Sequence, residues 1–302
     1  MKKILLLITV FNFLLSQDPP YWGTIFIDPD IITSSDASTF QNIEYTGQGF
    51  RTMYDRRVNN WITVDAYLFD TYYLDGLYCE IQVNPEFLSP EAALEEAQFY
   101  GIEIGRLPTD LRQDLETVWI HMGVELFGGG NNNILIHTGQ SINYINDGIL
   151  EETLVHEASH TSLDAYHASS PEWIAAQNLD NEFISQYAQD NPTSEDIAES
   201  FLTWLAIRYR LDRISTEMYL TIIEAIPNRI EYFDNQSFNM FPINNNLTGD
   251  INQDGNIDIL DIILTLNMIL GSSMVNDSAD INQDGLVNIL DIVQLVQLII
   301  SE

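Results

Sequence analysis

Cysteine is nearly absent from this sequence: Cys79 is the only one in 302 residues. A single thiol excludes an intramolecular disulfide framework and any zinc cluster built on cysteine. Basic residues are scarce as well, with 11 Lys+Arg against 45 Asp+Glu and a formal net charge of −34. So acidic a chain has little with which to neutralise a phosphate backbone, which excludes nucleic acid as a partner. An anionic membrane surface is disfavoured for the same reason. No later stretch approaches the roughly 18 uninterrupted apolar residues of a membrane span. What is present belongs to a folded protein: 45% hydrophobic and 11% aromatic residues, enough for one large core and a smaller second unit.

Met1-Lys2-Lys3 followed by the apolar run Ile4 to Leu15 reads as a signal peptide, with cleavage expected after Ser16. The chain is therefore expected to be exported, either secreted or held at the cell surface. No cysteine follows the cleavage point, which argues against a lipoprotein anchor.

Residues 17–248 read as one block. Ile81-Gln82-Val83, Val118 to Met122 and Ile134 to His137 alternate as strands, with His121 and His137 as core or rim residues. Ser89-Pro90-Glu91 supplies an N-cap serine, a first-turn proline and an early acid, predicting a helix that ends near Gly101. Gly128 to Asn133 reads as a loop; no Lys-Ser/Thr follows to make it a phosphate cradle. From Ile149 to about Ile226 the pattern is mainly helical. Strands first and helices second predict an α+β domain with a mixed sheet.

Within the helical half stands His156-Glu157-Ala158-Ser159-His160. Nothing in Ile149 to Val155 breaks a helix, and helical spacing of i and i+4 places both imidazoles on one face within reach of one ion. Glu157 then lies beside the metal, placed to take a proton from bound water. A catalytic zinc wants three protein ligands and an open position. Asp164 and His167 follow His160 at i+4 and i+7 and are two candidates for the third. Further on, Asn191-Pro192-Thr193-Ser194 starts a helix that carries Glu195 and Glu199 on one stripe.

This combination resembles the gluzincin metallopeptidases, in which a second helix supplies E-x-x-x-D/E after H-E-x-x-H. The resemblance covers residues 154–201 and implies a zincin-like fold holding one catalytic Zn²⁺. It makes Glu195 the third zinc ligand and Glu199 the acid that orients a ligand histidine, and Tyr187 resembles a tyrosine that stabilises the oxyanion. The substrate it implies is a protein or peptide. The metzincin alternative fails in register, since Leu163 and Tyr166 stand where that pattern needs Gly and His. Strand 134–138 is expected to hold an extended peptide by edge pairing, and Cys79 to be a small buried hydrophobe.

After the polar linker Asn244 to Thr248 the chain repeats at a 30-residue offset. Gly249-Asp250-Ile251-Asn252-Gln253-Asp254-Gly255 returns as Ala279-Asp280-Ile281-Asn282-Gln283-Asp284-Gly285. Oxygen ligands at loop positions 1, 3, 5 and 12, a backbone carbonyl at 7 and Gly at 6 suit Ca²⁺. That assigns Asp250, Asn252, Asp254, Asn256 and Asp261 to one calcium, and Asp280, Asn282, Asp284, Leu286 and Asp291 to a second. Asp rather than Glu closes each loop, and one helix follows each. Residues 249–302 thereby resemble a dockerin type I domain, a small all-α unit. Stripes Ile259, Ile262, Ile263, Leu266 and Ile289, Ile292, Val293, Val296 are expected to pack the two helices. Dockerins offer polar residues at positions 10 and 11 to a cohesin; here both copies have Ile-Leu, so a cohesin-like partner, a cell-surface protein and the chain's own first domain all stand as docking sites.

The reading is an exported zinc metallopeptidase with a calcium module. The other is a calcium-dependent attachment protein whose zincin scaffold binds without cutting.

Overall fold

The computed structural model describes residues 18–27, 31–243, 249, 251, 257, 259–272, 279–282 and 284–301. The signal-peptide reading, the linker, and Asp250, Asn252, Asp254 and Asn256 lie outside the described residues.

A long hairpin opens the domain. Strands β1 (Phe40–Asp55) and β2 (Asn60–Tyr73) pair antiparallel from Phe40↔Tyr73 to Asp55↔Asn60. Strand β3 (Tyr78–Val83) returns antiparallel to β2, and β4 (Thr117–His121) and β6 (Asn133–His137) add parallel to it. Strand β5 (Gly128–Gly130) runs antiparallel along β6, giving a mixed sheet of order β1-β2-β3-β4-β6-β5. Gly128-Gly129-Gly130 is thus an edge strand rather than a loop. Strand β6, lying between β4 and β5, is not an edge and cannot hold an extended peptide by edge pairing; β5 is the edge. A triple glycine carries no β-propensity, which is why composition conceals it.

Helix α1 (Pro90–Ile104) begins as expected, with Ser89 Oγ accepting the Ala92 N–H at 3.2 Å. It runs through Gly101 because that residue is buried against β1: a Cβ there would lie 3.1 Å from the Phe40 ring. Glycine here serves close approach rather than termination. After the short α2 (Thr109–Arg112), β6 leads into α3 (Thr138–Asp147), which Gly148 closes with a left-handed φ of 69°. The chain turns there into α4 (Leu150–Ser162). Nearly every position of α4 is buried, including Leu154, Val155 and Ala158, so the helix crosses the domain as its central element.

Helices α5 (Asp164–His167), α6 (Pro171–Leu179), α7 (Gln186–Asp190), α8 (Asp196–Tyr209), α9 (Thr216–Ala225) and α10 (Pro227–Asp234) complete the expected helical half. Trp173, Phe201, Trp204 and Phe233 pack edge-on and tilted at 5.2–5.6 Å among them. Beneath them Arg229 is wholly buried between Asp180 (2.9 Å) and Asp196 (2.8 Å). Such a pair stabilises little by itself, but loss of the cation strands two buried carboxylates. It pins the first turn of α8 and thereby the residue just before it, Glu195.

At the start of α4, Glu152 is fully buried and accepts the Ile32 N–H at 2.9 Å. Burial pushes its carboxyl up from 4.5 to about 9. The folded state keeps a proton that the unfolded chain releases, so the associated stability is complete below pH about 4.5 and is lost as pH rises toward about 9. Glu152→Gln keeps the acceptor and removes the titration. At pH 8 its melting temperature is expected to exceed the wild type's by about 5 °C or more, the two converging near pH 4.5. Parallel melting curves across that range would contradict a protonated Glu152.

Candidate metal centre

Helix α4 turns His156, Glu157 and His160 to one side, toward the N-terminal end of α8. The imidazole Nε2 atoms of His156 and His160 lie 3.1 Å apart. Glu195, at the residue preceding α8, brings Oε2 to 3.3 Å from His156 Nε2 and 3.2 Å from His160 Nε2. The three atoms form a nearly equilateral triangle, and these three residues are the metal-capable group found among the described residues. Tetrahedral zinc with bonds of about 2.0–2.1 Å spaces its ligand atoms at about 3.3 Å. Glu195 Oε2 is buried and lacks a hydrogen-bond donor, the state of an oxygen that a cation satisfies.

Each histidine carries a carboxylate on its other nitrogen. His160 Nδ1 lies 2.8 Å from Asp164 Oδ2, and His156 Nδ1 lies 3.4 Å from Glu199 Oε1. Glu199 is held in turn by Ser185 Oγ (2.6 Å) and the Thr24 backbone N–H (2.8 Å). The Asp164 hydrogen bond fixes the orientation and tautomer of the His160 ring, while Glu199 stands beside His156 Nδ1 without a hydrogen bond to it. Asp164 therefore sits on the far side of His160 from the triangle. His167 is farther still, its Nδ1 paired with the Tyr232 hydroxyl at 2.6 Å and its ring against Phe238.

Although burial opposes it, the two histidine partners pull Glu195 down to about 2. Burial lowers His160, but its hydrogen bond to Asp164 and the Glu195 carboxylate beside it outweigh this and raise the ring to about 10. A metal at this position competes with that proton, so its affinity rises with pH.

The triangle opens into a cleft of about 540 Å³ lined by Glu157, Tyr144, Tyr187, Trp22, Phe26, Phe127 and Arg56 among others. Tyr187 follows the Ser185 N-cap of α7, with its own N–H on the Trp22 carbonyl at 3.1 Å. Desolvation, then Glu195 and Glu157, push its phenol to about 12, so it stays a hydrogen-bond donor at neutral pH. Two contributions were not read from sequence. The N-terminal segment walls the cleft through Trp22 and anchors Glu199 through Thr24. Gly129 lets the edge strand touch α4, since a Cβ there would come within 1.9 Å of the Glu157 carbonyl oxygen. The Gly-Gly-Gly run was the available signal.

Other candidates lie elsewhere. His121 and His137 stack at 5.4 Å, fully buried, and burial lowers both rings. Cys79 is buried and desolvation raises its thiol to about 12, so it is inert.

Near the C-terminus, helices α11 (Ile259–Ile269) and α12 (Ile289–Ser301) follow the two acidic loops. Asp261 and Asp291, at loop position 12, are fully buried. Asp261 Oδ1 accepts the Ile251 N–H at 2.6 Å, and Asp291 accepts those of Ile281 and Asn288. In the second loop Asp280 and Asn282 turn their oxygens onto the Asp284 N–H, and Gly285 turns at φ 84°. The Leu286 carbonyl accepts from Asn288 Nδ2 at 3.0 Å. The helices pack differently from the expected stripes. Thr265 and Leu295 are buried, whereas Ile259, Ile263, Leu266, Ile289, Val293 and Val296 are exposed. The reason is geometric: burying the position-12 aspartate turns inward the residue four places on.

Residues 248–300 match the family model of the dockerin type I domain. This segment is a dockerin domain. Dockerin domains bind calcium, and the family attaches to cohesin partners. No curated protein and no solved structure matches the chain. Among the described residues no helix is long and apolar enough to cross a membrane.

Proposed function

We propose that residues 17–248 are a zinc-dependent peptidase domain, exported and carried to its place of action by the dockerin domain. The observation that carries this reading is the triangle of His156 Nε2, His160 Nε2 and Glu195 Oε2, with sides of 3.1–3.3 Å, opening onto a cleft that also holds Glu157. A zinc ion held there supplies Lewis acidity to a water and to a substrate carbonyl. Glu157 takes the water proton and delivers it to the leaving amine. Tyr187, kept protonated, donates to the carbonyl oxygen as it gains charge. Asp164 holds the His160 imidazole in register, and Glu199 places its carboxylate beside that of His156. An extended peptide would lie along edge strand β5, at the lip of the cleft.

The dockerin domain supports a second property, attachment. Ile259, Leu260, Ile289 and Leu290 are exposed at positions 10 and 11 of the two loops, so the contact offered there is apolar, and a cohesin-like or cell-surface protein with an apolar face fits it.

The experiment is hydrolysis of an unfolded casein digest by the full chain, followed by mass spectrometry. Cleavage is expected with zinc, loss on treatment with phenanthroline, and recovery when zinc is restored. Zinc-loaded chain that leaves the digest intact would favour a binding scaffold displayed through the dockerin domain.

A further inference from the structure

Arginine is rationed in this chain, and the structure spends nearly all of it on acids. Arg51, Arg57, Arg106, Arg112, Arg208, Arg210, Arg213 and Arg229 each have a carboxylate within 3.9 Å. Arg56 is the exception among the described residues, and it lines the metal cleft. It stands at the tip of the β1–β2 hairpin beside Arg57, whose guanidinium is tied to Asp55 and Glu86 at 2.7 Å each. That clamp fixes the tip, and the neighbouring side chain is turned the other way, over the edge strand. A Cβ on Gly128 would lie 2.9 Å from Arg56 Nη2, while one on Gly129 would strike Glu157. Successive strand positions point to opposite faces, so Arg56 and the Glu157 backbone flank β5 from its two sides. Burial raises the pKa of the Tyr144 phenol, and beside that effect the phenol feels both charges, Glu157 raising its pKa and Arg56 lowering it.

We infer that Arg56 is a specificity residue that binds a carboxylate of the peptide lying along β5. A guanidinium without a partner, in a cleft whose other charged residues outside the two triangle histidines are acids, gains most from a ligand that brings its own carboxylate, held by paired N–H donors. The field of a −34 chain opposes acids at long range, but screening confines it to about 8 Å at physiological salt, within which the local cation dominates. The carboxylate has two sources, an Asp or Glu side chain or a free C-terminus. The inference rests on the cleft being a peptide site, and it does not require cutting.

The test uses full-length Glu157→Gln protein, immobilised, with and without Arg56→Gln. Two random octapeptide pools are offered, one with free and one with amidated C-termini, and retained peptides are identified by mass spectrometry. Enrichment of Asp and Glu in both pools, at least threefold and lost in Arg56→Gln, assigns the side-chain carboxylate. Preference for the free-acid pool alone, lost in the same variant, assigns the terminus. Retention without carboxylate enrichment, or enrichment that survives Arg56→Gln, or no retention at all, overturns the inference. Matching melting temperatures of the two proteins exclude misfolding as the cause. Wild-type chain is incubated with the same pools in parallel. Selective retention without wild-type cleavage would overturn the peptidase reading and leave the carboxylate assignment standing, and cleavage without carboxylate selection would do the reverse.

Discussion

Glu157→Gln is expected to lower peptide hydrolysis by about 10²–10⁴-fold, the contribution of a positioned general base, while zinc content and melting temperature stay unchanged. The cleft contains four carboxylates, and three are committed. Glu195 completes the triangle with the two histidines, Glu199 accepts from Ser185 and Thr24, and Asp164 pairs with His160. The Glu157 carboxylate has no hydrogen-bond partner among the described residues, and it sits on the same turn of α4 as both imidazoles. Glutamine matches its size and cannot accept a proton. Initial rates on one defined peptide, with zinc measured on the same samples, check the expectation. A variant at wild-type rate would remove Glu157 from the mechanism and return the base to one of the three committed acids.

Withdrawal of calcium is expected to unfold the dockerin domain within the intact chain. Residues 249–302 contain nine acids and no basic residue, so the compact state repels itself unless cations intervene. Two of those acids, Asp261 and Asp291, are fully buried, a cost that a bound cation offsets. Saturation at about a thousand times Kd stabilises each site by about 4 kcal/mol, comparable with the whole stability of so small a unit. Treatment with a chelating resin should therefore lower the circular-dichroism signal at 222 nm by the share of α11 and α12. It should also open chymotrypsin sites between residues 259 and 301, and calcium should reverse both where zinc does not. An unchanged spectrum and digest would show that the helix pair stands without metal.

Much of the candidate site was legible because helical spacing is short-range information. His156, Glu157 and His160 share a face by arithmetic alone, and the 30-residue repeat of the calcium loops needs no structure to be seen. The third corner of the triangle was not fixed by spacing: Asp164, His167 and Glu195 all stood as candidates. Only the packing of α8 against α4 brings Glu195 to the imidazoles, and Asp164, one turn on, faces the opposite nitrogen of His160. Contributions from distant segments were invisible. The N–H of Thr24 reaches Glu199 across 175 positions, and backbone groups leave no trace in sequence. The glycine strand misled because a close backbone approach and a flexible loop share one composition. The helix stripes of the dockerin domain misled because hydrophobicity favoured the residues that are exposed, while metal-loop geometry turned Asp261 and Asp291 inward.

The central claim is a single metal held by His156, His160 and Glu195, and zinc counted per chain by mass spectrometry tests it most directly. Purified wild type, supplemented with zinc and exhaustively dialysed, is expected to retain about one zinc, as a three-ligand site does. Glu195→Ala, treated identically, is expected to retain little. Undiminished zinc in that variant, or none in the wild type, would contradict the account.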